Sequence, residues 1–305
     1  MENGFKKKVA SVYRSSYDTI FMLAHRSGIL KNSTVKRYAA RMHMLIYSRI
    51  MGKGVMEVEV NGCRMYADLE DLSISLDLIL NRAWEPETTR LFQELVKGGM
   101  TIIDVGANIG YFTLLFARLA RKGRVWAFEP NPKSFDLLEA NIRLNGFGNV
   151  TAVNRAVSDR ESTLRFNSNY VNSSVSEKGS IEVKASALDG FLPRDLKVDL
   201  IKIDVEGWEL HAFRGMERLI ERNRRIRIVM EFSRLELERT KTDPRKLLSF
   251  FSRRGFAFYV IGERLRRATP GEIMRLSEKG GSFNIFMERP RYGGSASGLF
   301  RLSLK

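Results

Sequence analysis

Cysteine and histidine are scarce in this chain of 305 residues, and their scarcity excludes several kinds of protein. The single cysteine, Cys63, excludes an intramolecular disulfide framework and a four-cysteine zinc site. The three histidines, His25, His43 and His211, are scattered along the sequence, so we expect no histidine-based metal site. One cysteine also fits a reducing compartment, and we expect the protein in the cytoplasm.

A long uninterrupted apolar run is missing from the first 51 residues. Lysines at positions 6–8 precede apolar residues, as in a signal peptide, but Asp18, His25 and Arg26 interrupt the run too early for a signal core or a membrane span. Apolar residues at helical spacing instead predict two basic helices within residues 1–54. Such helices could cover a substrate pocket, contact an anionic membrane peripherally, or pack as an ordinary extension.

Acidic residues are outnumbered by basic ones. Lysine and arginine together number 51 against 35 aspartates and glutamates, so the formal net charge is +16. This surplus would attract nucleic acid, anionic lipid or an acidic substrate, and it would equally suit a solvated basic surface. With 44% hydrophobic residues, the chain can still bury a substantial core.

The stretch TIIDVGANIG at residues 101–110 is the most informative part of the sequence. Its β-branched apolar residues predict a short buried parallel strand with Asp104 near its carboxyl end. Gly106 and Gly110 then form a tight turn into a helix, whose first N–H groups lack intrahelical partners. A strand, a glycine turn and a helix N-terminus together predict a ligand site at the strand end.

The residues of this turn favour an adenosine-bearing ligand other than a dinucleotide. Dinucleotide sites bring bare backbone to a pyrophosphate, whereas here Asn108 stands at the middle position and Asp104 precedes the turn. A carboxylate and an amide suit a ligand with its own ammonium and carboxylate, as in S-adenosylmethionine. A second strand over residues 124–128 leads to Glu129, where an acid accepts hydrogen bonds from ribose hydroxyls.

Four stretches resemble, in order, the FkbM family of S-adenosylmethionine-dependent methyltransferases: IIDVGANIGYFTLLFA, VWAFEPNPKSFDLLEANIRLN, RAVSD and DLIKIDVEGWELHAFRG. The upstream WEPET fits as well, so the resemblance extends over residues 55–289. It implies a class I methyltransferase fold, which is an α/β Rossmann-like fold with a seven-stranded, mostly parallel sheet flanked by helices. It also implies methyl transfer to a hydroxyl of a sugar, glycan, lipid-linked or other small-molecule acceptor, without identifying that acceptor.

The resemblance places two further acids at the cofactor. The family's pattern puts the adenine at the end of a third strand, predicted over residues 150–157, where Asp159 would accept from the adenine amino group or form part of a turn. The first and fourth strands of such a fold are neighbours, so Asp104 and Asp204 would flank one crevice around the methionine part. Glu85 could also reach this pocket, although an acid at a helix start favours the helix dipole as well.

Methyl transfer to an alcohol needs a base, because aliphatic hydroxyls are very weak acids. Glu206 and Glu231 follow or end neighbouring strands, and we expect one of them to take the proton while Lys202 orients the acceptor. Asp204 could join both glutamates around Mg²⁺, which prefers oxygen ligands. The sequence carries no dedicated metal motif, so we expect no metal.

Four segments are expected along the chain. Residues 1–54 form the basic helical extension, residues 55–98 a β-hairpin and lead-in helices, residues 99–290 the methyltransferase domain and residues 291–305 a flexible tail. Within the domain we predict a loop or hairpin insertion at 167–180, the fourth strand at 198–204, one helix at 208–218 and an antiparallel last strand at 282–288.

Other functions compete with this interpretation. RNA methylation is favoured by the basic charge, but the sequence lacks a DPPY or NPPY motif for base amino groups and a strand-end cysteine for a cytosine mechanism. An NAD-binding oxidoreductase is disfavoured by the spacing of the glycine turn. A non-catalytic scaffold is disfavoured by the intact motif residues.

Overall fold

The computed structural model describes residue 42 and residues 54–71, 73–168 and 174–290. Apart from residues 42 and 54, the predicted N-terminal helices lie outside the described residues, as does the predicted tail at 291–305. The chain divides into two compact units, Met1–Trp84 and Glu85–Lys305. Within the described residues, no helix combines the length and apolar character needed to cross a membrane.

The described part of the first unit is a hairpin followed by a helix. Strands β1 (Val55–Val60) and β2 (Cys63–Asp68) pair antiparallel, and helix α1 (Ile74–Asn81) follows. The hairpin was predicted from Asn61 and Gly62, and both adopt positive φ, as a two-residue turn of this kind requires. Alternate residues of each strand are buried, so one face of the hairpin is apolar.

The second unit contains the remaining twelve strands of the described residues. In chain order, strands β3 to β14 span Thr101–Val105, Arg124–Phe128, Val150–Val153, Ala156–Val157, Ser162–Asn167, Ser174–Val175, Ile181–Ser186, Leu200–Ile203, Arg227–Ser233, Ala257–Val260, Arg266–Ala268 and Ser282–Glu288. Helices α2 to α10 span Pro86–Leu95, Tyr111–Leu119, Pro132–Leu144, Leu188–Phe191, Glu209–Arg214, Glu217–Arg222, Arg234–Arg239, Pro244–Ser252 and Pro270–Ser277.

The central sheet has the strand order that the class I fold predicts. Its order is β13-β12-β14-β11-β10-β3-β4-β5, and the pairs from β11 to β5 are parallel. The last strand, β14, is inserted antiparallel between β11 and β12. The sheet has eight strands and not seven, because the short strand β13 pairs with β12 at one edge. The predicted α/β class and the inserted last strand are confirmed.

The predicted third strand is wrong beyond Val153. Strand β5 ends there because Asn154 turns its side chain to donate to the carbonyls of Glu129 and Pro130, at 2.8 and 3.2 Å. Strand β6 then joins a separate four-stranded sheet of order β6-β9-β7-β8. The predicted insertion is therefore larger than residues 167–180, because it begins at β7 and returns through β9.

The predicted helix over residues 208–218 is also wrong as a single element. It is broken into α6 and α7 around Gly215, where an added Cβ would lie 1.8 Å from the carbonyl oxygen of Ser158. The side chain of Asp189 caps the N-terminus of α7. Its carboxylate accepts from the backbone N–H groups of Arg218 and Leu219 at 2.8 and 2.7 Å. The break lets the chain from β6 pass close to the helix.

Candidate active site

The carboxyl ends of β3, β4, β10 and β11 bring the predicted site residues to one edge of the sheet. In the register of β3 and β10, Asp104 stands opposite Lys202. The turns after these strands carry Gly106, Glu129 and Asp204 to the same edge. Ligands bind at this edge of open parallel sheets, so the sequence-based location of the site agrees with the fold.

The glycine turn is shaped chiefly by the chain's own packing. Gly106 has a φ of 75°, and an added Cβ would lie 1.8 Å from the carbonyl oxygen of Asp204. Gly110 has a φ of 97°, and its Cβ would lie 2.7 Å from the Leu138 side chain. Both glycines are therefore required for their backbone conformation and also because the chain after β10 and helix α4 pass too close for a side chain.

Glu129 fixes the turn from the neighbouring strand. Its two carboxylate oxygens accept from the backbone N–H groups of Asn108 and Asn131, both at 2.8 Å. Burial raises the pKa of Glu129 to about 7, although these two hydrogen bonds act in the opposite direction. Each oxygen keeps a second lone pair, so the carboxylate can still accept from a ligand hydroxyl.

A cavity of about 680 Å³, counted with its open mouth, lies over this edge. Its polar end includes Glu129, Asp204 and Glu206. Its other end is largely apolar and is formed by strand β6, the insertion and the start of α6. The residues of that end are Ala156, Val157, Phe166, Val175 and Trp208.

Trp208 is held in place as the wall of the apolar end. Its Nε1 donates to Ser158 Oγ at 3.2 Å, and its ring stacks on that of His211 with centroids 3.9 Å apart and planes 10° apart. Desolvation lowers the pKa of His211, so the imidazole is neutral at pH 7. The His211 ring is half-buried against Trp208.

The donor set fits S-adenosylmethionine. The apolar end offers an aromatic ring and aliphatic side chains to an adenine, and Glu129 offers a buried acceptor to ribose hydroxyls. The polar end offers the Asp204 carboxylate to an ammonium and lies beside the glycine turn. A dinucleotide is a poor fit, because Asn108, whose side chain accepts from the N–H of Ile109, occupies the middle of the turn.

Lys202 contacts the glycine turn and two carboxylates of the chain. Its ammonium donates to the carbonyl oxygen of Gly106 at 2.9 Å and lies 3.5 Å from Asp104 Oδ1 and 3.7 Å from Asp204 Oδ2. These carboxylates raise the pKa of Lys202 against its desolvation, so it stays charged. The contacts suit a residue that holds the turn and balances two carboxylates, and its predicted contact with the acceptor stays a prediction.

Asp104 and Asp159 are not among the residues that line the cavity. Asp104 is fully buried and accepts from Thr113 Oγ1 of helix α3 at 2.6 Å. It also lies beside Lys202, which donates to Gly106, so Asp104 helps to hold the turn without lining the cavity. Asp159 accepts from Ser158 Oγ at 3.3 Å, next to the hydroxyl that holds Trp208. Direct cofactor contacts by these two residues remain predictions.

Three carboxylates form a cluster, and two of them, Asp204 and Glu206, line the cavity. Oxygens of Asp204, Glu206 and Glu231 all lie within 4.8 Å of one another. Desolvation, and then the charge of Asp204, raise the pKa of Glu206 to about 8 and that of Glu231 to about 9. At neutral pH the cluster therefore holds protons, as expected when like charges crowd together. The two predicted candidate bases are thus brought together.

Glu85 belongs to the same electrostatic environment. It accepts from Asn284 Nδ2 at 2.6 Å, and burial, reinforced by the charge of Asp204, raises its pKa to about 7. The sequence indicated Glu85 only weakly, and it gave no signal for Phe166 or Val175, because those residues reach the cavity only through the fold of the insertion. Trp208 was predicted only as a helix start.

Known proteins support these observations. A model described as the Methyltransferase FkbM domain matches residues 104–258. The Hexuronic acid methyltransferase AglP of Haloferax volcanii is 30% identical over 146 residues, which are 45% of this chain and 58% of that protein. Methyltransferase sdnD of Sordaria araneosa is 29% identical over 155 residues, 38% of this chain and 60% of that protein. The chain therefore spans no more than about three fifths of the length of these relatives.

Among solved structures, M. jannaschii TYW2 in complex with AdoMet is similar at a TM-score of 0.40 and 15% identity, with 77% of this chain and 87% of that chain covered.

Proposed function

Because this chain belongs to the FkbM methyltransferase family, we propose that it transfers a methyl group from S-adenosylmethionine to a hydroxyl oxygen of a sugar, glycan or other small-molecule acceptor. Family membership confirms the resemblance found in the sequence, although the matched residues 104–258 are fewer than the 55–289 expected. The observation that carries the proposal is the buried Glu129 carboxylate at a strand end, beside a cavity that is apolar at one end and acidic at the other.

The residues that would hold the cofactor divide by the chemistry they offer. Glu129 accepts from ribose hydroxyls, and the apolar end beside Trp208 packs on the adenine. Asp204 and the turn at Gly106 and Asn108 receive the methionine part. Asp104 and Gly110 support that turn from behind, and Asp159 steadies the adenine end through Ser158.

Bound S-adenosylmethionine supplies an electrophilic methyl group on a sulfonium. The chain contributes by holding the acceptor oxygen in line with that methyl group, and positioning of this kind is worth up to roughly 7–11 kcal/mol. It also supplies the base. Glu206 lines the cavity and is the candidate that takes the hydroxyl proton, while its burial, and then the charge of Asp204, keep its pKa high enough to accept one.

A sugar acceptor is supported by the hexuronic acid methyltransferase among the relatives. The exposed polar mouth of the cavity, with carboxylates able to hydrogen-bond hydroxyls, suits the same class. The acid cluster could also bind a divalent cation through oxygen ligands. The ammonium of Lys202, 3.7 Å from Asp204, already supplies a positive charge there, so the proposal needs no metal.

The test is calorimetric titration with S-adenosylhomocysteine, followed by labelled methyl transfer to a panel of sugars and glycans. We expect micromolar binding to the wild type and a loss of roughly tenfold or more in Glu129→Ala, since the ribose hydroxyls lose a buried charged acceptor. Glu139→Ala is the matched control, because this partly exposed glutamate of helix α4 lies outside the cavity lining and pairs with Arg143 at 3.4 Å. Absence of binding to the wild type would overturn the proposal.

RNA remains the alternative acceptor, favoured by the net charge of +16. Methyl transfer to RNA that collapses between 50 and 200 mM salt, with no transfer to any sugar, would replace the sugar proposal. Transfer to a sugar that persists at high salt would exclude the RNA alternative.

A further inference from the structure

A second groove adjoins the cofactor cavity. It encloses about 1260 Å³ of space, counted with its open mouth, and it shares Val175 and Trp208 with the cavity. One side is formed by strands β7 and β8 and the turn after them, and the other by the chain after helix α8. The groove therefore begins where the proposed cofactor site ends.

The groove is basic. Arg165 and Lys178 line the side of the insertion, and Arg239 and Lys241 line the opposite side. The groove has one acidic lining residue, Glu177, whose Oε1 lies 2.8 Å from Lys241 Nζ. That ion pair bridges the two sides, and both partners are more than three quarters exposed, so it is weak enough to open for another anion.

Lys241 occupies a position that favours glycine. Its φ is 60°, and the next residue, Thr242, donates its N–H to the carbonyl of Leu237 at 2.8 Å, as in a glycine-terminated helix end. A lysine there works against the left-handed backbone, although its charge suits the negative end of the helix dipole. Its side chain extends across the groove to Glu177.

Arg239 links the groove to the acidic cluster. Its Nη2 donates to the carbonyl oxygen of Glu206 at 3.2 Å, while its Nε donates to Glu236 Oε2 at 2.7 Å. Glu206 lines the cofactor cavity. A molecule with an anionic group in the groove could therefore present a neighbouring hydroxyl to the candidate base.

We infer that this groove binds a carboxylate or phosphate group of the acceptor, so that the substrate is an anionic sugar; this rests on the methyl transfer proposed above. The stacked rings of Trp208 and His211 line the groove and give it an uncharged aromatic wall beside the four cations. An acidic sugar matches both features, because its ring can lie against the wall while its anionic group displaces Glu177 from Lys241.

Direct binding tests the inference. Glucuronate, glucose 6-phosphate and uncharged glucose are titrated against the full chain with S-adenosylhomocysteine present, and saturation-transfer NMR follows the sugar signals. We expect one or both anionic sugars to bind about threefold to tenfold more tightly than glucose, a preference that falls as salt is added. A preference for only one of them identifies the group as carboxylate or phosphate.

Two groove variants should move this preference in opposite directions. Lys241→Gly removes one cation while relieving the backbone, so affinity for the anionic sugar should fall about threefold with no loss of thermal stability. Glu177→Gln frees Lys241, so the affinity should rise by a similar factor. Lys279→Gln, an exposed lysine outside the groove, is the matched control and should change nothing.

The outcomes separate this inference from the proposed function. If S-adenosylhomocysteine binds but anionic sugars bind no better than glucose, or if both groove variants match Lys279→Gln, the groove assignment is wrong and the methyltransferase proposal stands. If S-adenosylhomocysteine fails to bind the wild type, the methyl transfer is wrong and the acceptor assignment falls with it.

Discussion

The proposed cofactor end and the proposed acceptor end of this site are built in different ways. At the cofactor end, the turn over residues 106–110 is fixed by backbone contacts, by the buried Glu129 and by close passage of β10. At the acceptor end, the acid cluster and the basic groove combine side chains from β11, the insertion and the chain after α8. The glycine turn of the first end comes from one short stretch, whereas the second end is partly buried and is assembled from residues far apart in the sequence.

The two ends should differ in how freely their residues can be replaced. A buried end with satisfied backbone groups can hold one cofactor in one position, and its residues have little freedom to change. An end made of long side chains can be altered residue by residue without disturbing the sheet. Substitutions should therefore have different effects at the two ends. Those at the cofactor end should lower both cofactor binding and stability, and those at the acceptor end should mainly lower turnover.

The largest expected effect is on turnover at the acceptor end. Glu206→Gln should lower kcat by roughly 10²–10⁴-fold while S-adenosylhomocysteine still binds, because the hydroxyl proton loses its acceptor. In the wild type the group must be deprotonated to act, and its pKa is about 8, so kcat/KM should rise with pH up to that value. A variant that keeps wild-type turnover and the same rising pH profile would remove Glu206 from catalysis.

A side chain added in the glycine turn should destabilise the protein through a steric clash. Gly106→Ala places a Cβ 1.8 Å from the Asp204 carbonyl, so we expect a loss of several kcal/mol in stability and at least about a hundredfold in cofactor affinity. Gly146→Ala is a matched control, since this glycine also has positive φ, 65°, but has nothing within 4 Å. It should cost only about 1 kcal/mol of backbone strain. Equal losses in chemical denaturation would contradict the packing argument.

A smaller effect is expected at Trp208, which is shared by the two ends. Trp208→Phe keeps an aromatic wall but loses the hydrogen bond to Ser158, so S-adenosylhomocysteine should bind about threefold to tenfold more weakly. Titration calorimetry measures this change. An unchanged affinity would mean that the ring alone, and not its orientation, matters to the cofactor.

The last prediction concerns the pH dependence of stability. The pKa of Glu231 is about 9 in the folded chain and near 4.5 when unfolded, so the folded state holds its proton more tightly. The stability from this group is complete below pH 4.5 and is lost as pH rises towards 9. Glu231→Gln removes that loss, so its stability relative to the wild type should rise by roughly 1 kcal/mol for each pH unit between about pH 5 and pH 9.

Thermal melts across this range measure the difference. Glu139→Gln serves as the control, because this partly exposed glutamate lies outside the acid cluster. A Glu231→Gln profile parallel to that of the wild type would show that the carboxyl keeps an ordinary pKa in the folded protein.

Much of the fold could be predicted because its signals are local. The apolar run of β3 and the hairpin turn at Asn61 and Gly62 each act within a few residues. The predictions failed where a distant group interferes. Asn154 ends β5 by bonding to the chain after β4, and Gly215 breaks a helix because Ser158 passes against it. Neither event leaves a periodic pattern in the sequence.

The sequence by itself determined the glycine turn and the position of Glu129, because backbone geometry at a strand end follows from a few neighbouring residues. The apolar end with Phe166 and Val175 needed the fold of the insertion. Only the tertiary structure decided the acceptor end. Whether Glu206 lies beside Glu231, or Lys241 beside Glu177, depends on strand order and on the insertion, since contacts between residues far apart in sequence are set by how the sheet assembles.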